Sequence, residues 1–338
     1  MKGNTILVKN LLIIKEKLVT FYAKTGVYLN HMFKFLLALI TYLLIGRAVG
    51  TNELLSSPLI GFALAVLCAF VPVNVTVICA TILTIIHLFG MSLELAIIET
   101  MVVLIIYLLY FRFAPNTGLL MVITPLLFYI KIPYVVPVIA ALTAGITGIV
   151  PVVCGTFLFY LINFASEYSV AISTLDADSA LQNITFIFNN ILNNKELIVI
   201  IVAFSISILM IYIIKRLSVN YSWIIAILAG TITNAIVIIV SFSLLETAYN
   251  IGMLIGGTIL AIAVGLILHL FIFSVNYSGT EYVQFEDNDY YYYVKAVPKV
   301  SVAGKDLTVK KINSIEKDRG FIHTESFDEE KEEPEDND

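Results

Sequence analysis

Long apolar runs, separated by short polar or Pro/Gly breaks, occupy most of the first 275 residues. A membrane-spanning helix needs about 20 predominantly apolar residues. Ten runs approach that pattern, at 33–49, 58–72, 73–90, 92–112, 116–130, 133–149, 150–165, 197–216, 221–245 and 250–274. Those between 58 and 165 are short, so several fit half-spanning helical hairpins as well as full crossings. The predicted fold class is an all-α polytopic membrane protein with about ten transmembrane or half-spanning helices.

Three segments depart from that pattern. Residues 1–31 place Lys9, Glu16, Thr20, Lys24 and His31 near one helical face, with Leu11, Leu12, Ile14, Leu18 and Phe21 over much of the rest. This predicts an amphipathic interfacial helix on an anionic leaflet, with an ordinary bundle helix as the competing reading. Residues 166–196 carry Glu167, Asp176, Asp178 and several asparagines, with Leu181, Ile184, Ile187, Phe188 and Ile191 at helical spacing. They predict an external amphipathic cap. The tail from 276 to 327 has β-branched and aromatic runs around Glu286–Asp289 and Ala303–Asp306, as in strand–turn–strand units. A small β-like cytoplasmic tail follows, and 328–338 predicts an acidic disordered end.

The expected domains are therefore the interfacial helix, a membrane bundle over 32–165, the cap, a three-helix unit over 197–275, and the tail. Gly252, Gly256 and Gly257 predict close helix contact within the three-helix unit.

Composition agrees with a membrane protein. The 338 residues are 59% hydrophobic and 13% charged, with mean hydropathy +0.94. The net charge of -5 is uneven: residues 1–275 hold 12 Lys/Arg against 9 Asp/Glu, and the remainder 8 against 16. Lys2, Lys9, Lys15, Lys17, Lys24 and Lys34 precede or open the first span, which predicts a cytoplasmic N-terminus. Ten crossings would return the C-terminus to that side and leave Arg47, Lys131 and Lys195 outside. Cys68, Cys79 and Cys154 lie in apolar runs and read as packing residues.

The stretch Phe113–Asn163 is the most unusual. It is nearly all apolar yet holds Pro115, Pro125, Pro133, Pro137 and Pro151, with Gly118, Gly145, Gly148 and Gly155 among them. Short broken helices at membrane depth are the sequence pointer to a transporter binding site. Asn116, Thr117, Thr124, Thr143 and Thr147, beside Pro125, are candidate lining groups for freed carbonyls and hydroxyls to form a cavity. Glu99 is the outstanding ionisable group inside a span. It reads equally as a proton or cation site and as a neutral acid bonded to a neighbouring hydroxyl. His87 and His269 read as packed histidines, and Asn234 as helix–helix glue. A short echo sets Val77–Leu83 over Val152–Leu158 at an offset of 75, with Pro58 over Pro133.

No P-loop, HExxH, CxxC or GxSxG occurs, so nothing points to a resident ATPase, a zinc protease or a hydrolase, and no cofactor is expected. Charge gives no nucleic-acid footprint. Val283–Val300, VQFEDNDYYYYVKAVPKV, resembles a group of clostridial-type bacterial membrane proteins carrying the loose label ABC transporter permease. The resemblance implies a bacterial plasma membrane and, with it, a separate ATPase subunit as a possible partner; the coupling loop of such permeases is missing here.

Two functions follow as expectations. One is a permease for a small solute or ion, binding at broken helices near the midplane, with no enzymatic activity of its own. The other is a scaffold whose acidic tail recruits a cytoplasmic protein. A third, an intramembrane enzyme acting on lipid, is weaker. The lipid bilayer is the expected partner in every case, and the oligomeric state is left open.

Overall fold

The computed structural model describes residues 2–171, 193–246, 250–273, 281–286 and 291–296. The chain divides into two compact units, residues 1–276 and 277–338.

The first unit is helical throughout its described elements. In chain order they are α1 (Lys2–Val49), α2 (Pro58–Ala69), α3 (Val73–Phe89), α4 (Leu93–Phe113), α5 (Gly118–Tyr129), α6 (Val136–Thr143), α7 (Ile149–Ala171), α8 (Lys195–Ile214), α9 (Ser222–Leu244) and α10 (Ile251–Leu268). Short 3-10 turns, Pro133–Val135 and Gly145–Gly148, flank α6, and a π turn, His269–Phe273, extends α10. Among the described residues six helices are long and apolar enough to cross a membrane: α1, α4, α7 with its preceding turn, α8, α9 and α10. Helices α2, α3, α5 and α6 are apolar but shorter. The count of about ten crossings therefore reduces to six full-length candidates. At 1.5 Å per residue the 12 residues of α2 or α5 make a rod of about 18 Å, well short of a hydrocarbon core of about 30 Å.

The helix ends follow local chemistry. Pro58 opens α2 behind Ser57, and Pro133 opens the turn into α6, where a missing N–H costs nothing. Ser92, Asn194 and Asn250 cap α4, α8 and α10 by accepting from Leu95 N, Leu197 N and Met253 N at 3.3, 3.0 and 3.1 Å. Gly145 has φ +64° just past α6, the left-handed position that ends a helix without Cβ strain.

Two boundaries differ from the sequence pattern. No turn separates an interfacial helix over 1–31 from a first span: α1 runs unbroken for 48 residues, about 72 Å. No proline precedes Pro58, so nothing interrupts the helical hydrogen bonds there. Similarly α7 continues past residue 165 to Ala171, carrying the polar Glu167 on the same helix. The rest of the expected cap, 172–192, lies outside the described residues.

Side chains from long helices and their ends hold the ends of short ones. His31 Nδ1 donates to Ala69 O at 2.8 Å and Lys34 Nζ to Val71 O at 3.2 Å, at the C-terminal end of α2. Lys215 Nζ donates to Ala141 O in the last turn of α6. Each satisfies a carbonyl that the helix leaves open and meets the negative end of its dipole. α2 and α6 are also the helices that the offset of 75 superposes, and the helices after them begin at Val73 and Ile149.

Packing is close around α8, α9 and α10. A Cβ on Gly230 would stand 2.1 Å from Ile211 Cγ1, and Ser207 Oγ donates to Gly230 O at 2.9 Å. A Cβ on Gly257 would stand 2.2 Å from Tyr134, and one on Gly265 2.8 Å from Ile227 and Val138. Of the three glycines expected to make close contacts, only Gly257 does so beyond its own helix, against Tyr134 of the turn before α6; Gly256 faces open space and Gly252 meets its own cap, Asn250.

In the second unit, Glu281–Glu286 (β1) and Tyr291–Ala296 (β2) pair antiparallel, with Glu281 opposite Ala296 and Glu286 opposite Tyr291. The turn between them, the second expected strand pair and the acidic end lie outside the described residues.

Candidate functional site

Helix α4 buries Leu95, Glu99, Val103, Ile106 and Tyr110, a stripe at three- and four-residue spacing. Glu99 thus takes a place where the pattern asks for an aliphatic side chain. It is 1% exposed, about 9 Å along the helix from Leu93. Its Oε1 is buried and has no hydrogen-bond partner. Glu94, near the start of the same helix, is served differently: it accepts from Ser92 Oγ at 2.6 Å as part of the cap.

Glu99 lines a recess walled by α1, α3, α4, α5 and α7. Its volume, counted as space open to the centres of water molecules, is about 60 Å³. A single water needs roughly 10–15 Å³ by that measure, so a few atoms fit. Most of the wall is Leu, Ile, Val and Ala; the polar lining comes from Glu99, Thr41, Thr81, Thr84 and Tyr129. No Lys, Arg or His is among its lining residues.

The threonines are already engaged. Thr41 Oγ1 donates to Leu37 O at 2.7 Å and Thr84 Oγ1 to Ala80 O at 2.9 Å. Thr81 Oγ1 reaches Val77 O at 3.0 Å and also meets Tyr107 Oη, which itself donates to Val77 O at 3.0 Å. Each hydroxyl proton is directed to its own helix or to Tyr107, which leaves oxygen lone pairs as what the threonines can offer.

The other sequence candidates do not converge on this recess. Pro125 lines it, and the carbonyl that Pro125 deprives of a helical partner, Met121 O, lies against α7. Gly155 of α7 lies so close there that a Cβ would come to 3.0 Å from that oxygen and 2.8 Å from Thr124 Cβ. Thr124 is fully buried and donates to Leu120 O at 2.7 Å. Asn116 is exposed and Thr117 donates to Ala114 O, both in the turn after α4. That turn is fixed by Asn74 and Tyr110, which donate to Pro115 O at 2.7 and 3.2 Å. Thr143 and Thr147 are exposed beside Gly145, bonded to Ile139 O and Ala144 O. Prolines and glycines here shape packing and turns; the polar wall is built from threonines of regular helices, which the sequence reading passed over. Its signal was present as Thr81 and Thr84, three apart on one face of α3.

Other buried polar groups stand alone. His87 has both ring nitrogens buried without a partner, while Thr51 Oγ1 donates to its backbone oxygen at 2.7 Å. Asn234 Oδ1 on α9 is likewise unpaired. His269 stacks on Trp223, with centroids 5.6 Å apart. Among the described residues no three His, Cys, Asp or Glu side chains gather as metal ligands.

Compared with known proteins, the chain matches no family model, no curated protein and no solved structure.

Proposed function

We propose that this multi-pass membrane protein is a permease of a bacterial plasma membrane, with both termini cytoplasmic, and that a small solute or ion binds in the recess around Glu99. The observation that carries this is a buried carboxyl with an unpartnered oxygen, on a residue that lines a recess between the long helices α1, α4 and α7 and the shorter α3 and α5. A carboxylate removed from water without a counter-charge costs several kcal/mol, and a proton or another cation relieves that cost. A group kept in so unfavourable a place, with room beside it, suits a site that fills and empties. Energy would come from protonation of Glu99 or from a separate ATPase subunit at the cytoplasmic face.

The test is electrical. Full-length protein in liposomes is adsorbed on a solid-supported membrane and given steps in proton, ammonium, sodium and potassium concentration. Protein-dependent charge movement is expected for at least one cation, and its loss in Glu99→Gln. Silence in every step, with a cytoplasmic protein co-purifying only when residues 276–338 are present, would replace the permease by the scaffold.

A further inference from the structure

We infer that the Glu99 recess is a site for a small N–H cation, ammonium or methylammonium, and not for a metal ion or a neutral solute. This names the substrate class of the site proposed above and rests on that site being the binding place.

The inference comes from what the wall can and cannot donate. Thr41 and Thr84 spend their protons on Leu37 O and Ala80 O, and Thr81 and Tyr107 spend theirs between each other and Val77 O. What these threonines can turn toward the recess is lone pairs. Glu99, as a carboxylate, also only accepts. Four acceptor side chains on three helices, with no basic residue among the lining, call for a guest that is all donor. Neutral polar solutes bring acceptors of their own, and among the lining hydroxyls only Tyr129 keeps a proton to meet them.

Size and surroundings narrow the guest further. About 60 Å³ admits a guest of only a few heavy atoms, against roughly 150 Å³ for a cavity that takes benzene. The rest of the wall is aliphatic, and Pro125 and Tyr129 complete one side. A methyl group is therefore welcome beside the N–H groups. Magnesium and calcium are not: they take six to eight oxygens in place of their water, more than this wall's side chains supply. Tyr129 is the one lining hydroxyl whose proton is not assigned to a carbonyl.

The guest also answers the cost of Glu99. A charge-assisted hydrogen bond to a carboxylate is roughly twice as strong as one between neutral groups, and in a low-dielectric wall it is screened little.

Equilibrium dialysis of radiolabelled methylammonium against the full-length protein in nanodiscs tests this directly. Saturable binding is expected, displaced by ammonium but not by methanol, which has the shape without the charge, nor by tetramethylammonium, which has the charge without N–H. Glu99→Gln should weaken it by about tenfold or more, since a hydrogen bond to a charged group is lost. Thr84→Val and Thr41→Val, which keep the side-chain shape, should each weaken it by about threefold to tenfold; they carry the test if Glu99→Gln does not fold. Absence of saturable binding, retention in Glu99→Gln and both valine variants, or equal displacement by sodium would each overturn the inference. Binding without any current in the permease assay would leave the ligand assigned and remove transport. Currents that depend on Glu99 without methylammonium binding would do the reverse.

Discussion

Two regions of the bundle treat buried polar groups differently. Around α8 and α9, Ser207 crosses to Gly230 O and the helices close until no Cβ fits between them. Around the recess lined by α1, α3, α4 and α5, Glu99 lacks a partner for Oε1, and the hydroxyls of Thr41 and Thr84 turn back on their own backbones. In the first region polar atoms serve the fold; in the second the fold tolerates a polar atom that does nothing for it. The contrast is not complete, since Asn234 Oδ1 is also unpaired, but Asn234 does not line the recess.

Substitutions can break that contrast. The largest effect is expected for Gly230→Leu, whose side chain has to occupy the space of Ile211; overpacking costs typically about 1–3 kcal/mol and more where a helix must shift. Unfolding in nanodiscs followed by Trp223, the single tryptophan, on α9, reports it directly, and a wild-type transition would show that the two helices are not in contact. Next comes Glu99→Leu. Replacing a buried acid by an aliphatic of similar size should raise stability, by about 1–3 kcal/mol, while abolishing cation-dependent currents. A loss of stability instead would mean that the carboxyl is paired and structural. Ser207→Ala should lower stability by about 1 kcal/mol, the opposite sign for removing a polar group from the other region. Smallest are Lys34→Met and Lys215→Met, at about 0.3–1 kcal/mol each, read as midpoint shifts that shrink as salt is added.

Helix positions were largely legible because proline and capping residues mark them. Pro58, Pro133, Ser92 and Asn194 stand where helices start. The unbroken α1 was not, because the change from charged to apolar composition near residue 31 imitates a boundary although no residue there breaks a helix. Glu99 stood out as a charge in an apolar run. The rest of the recess did not, because a threonine bonded to its own helix leaves the apolar pattern undisturbed. Pro125 drew attention to freed carbonyls; only packing reveals that Gly155 seats α7 against Met121 O.

α1 brings three tasks onto one rod: Thr41 on the recess wall, and His31 with Lys34 at the foot of α2. A continuous helix has no joint at which to absorb a displacement. Anything that grips its lysine-bearing front half, be it a charged leaflet or a partner protein, holds a lever whose far arm is one side of the chamber.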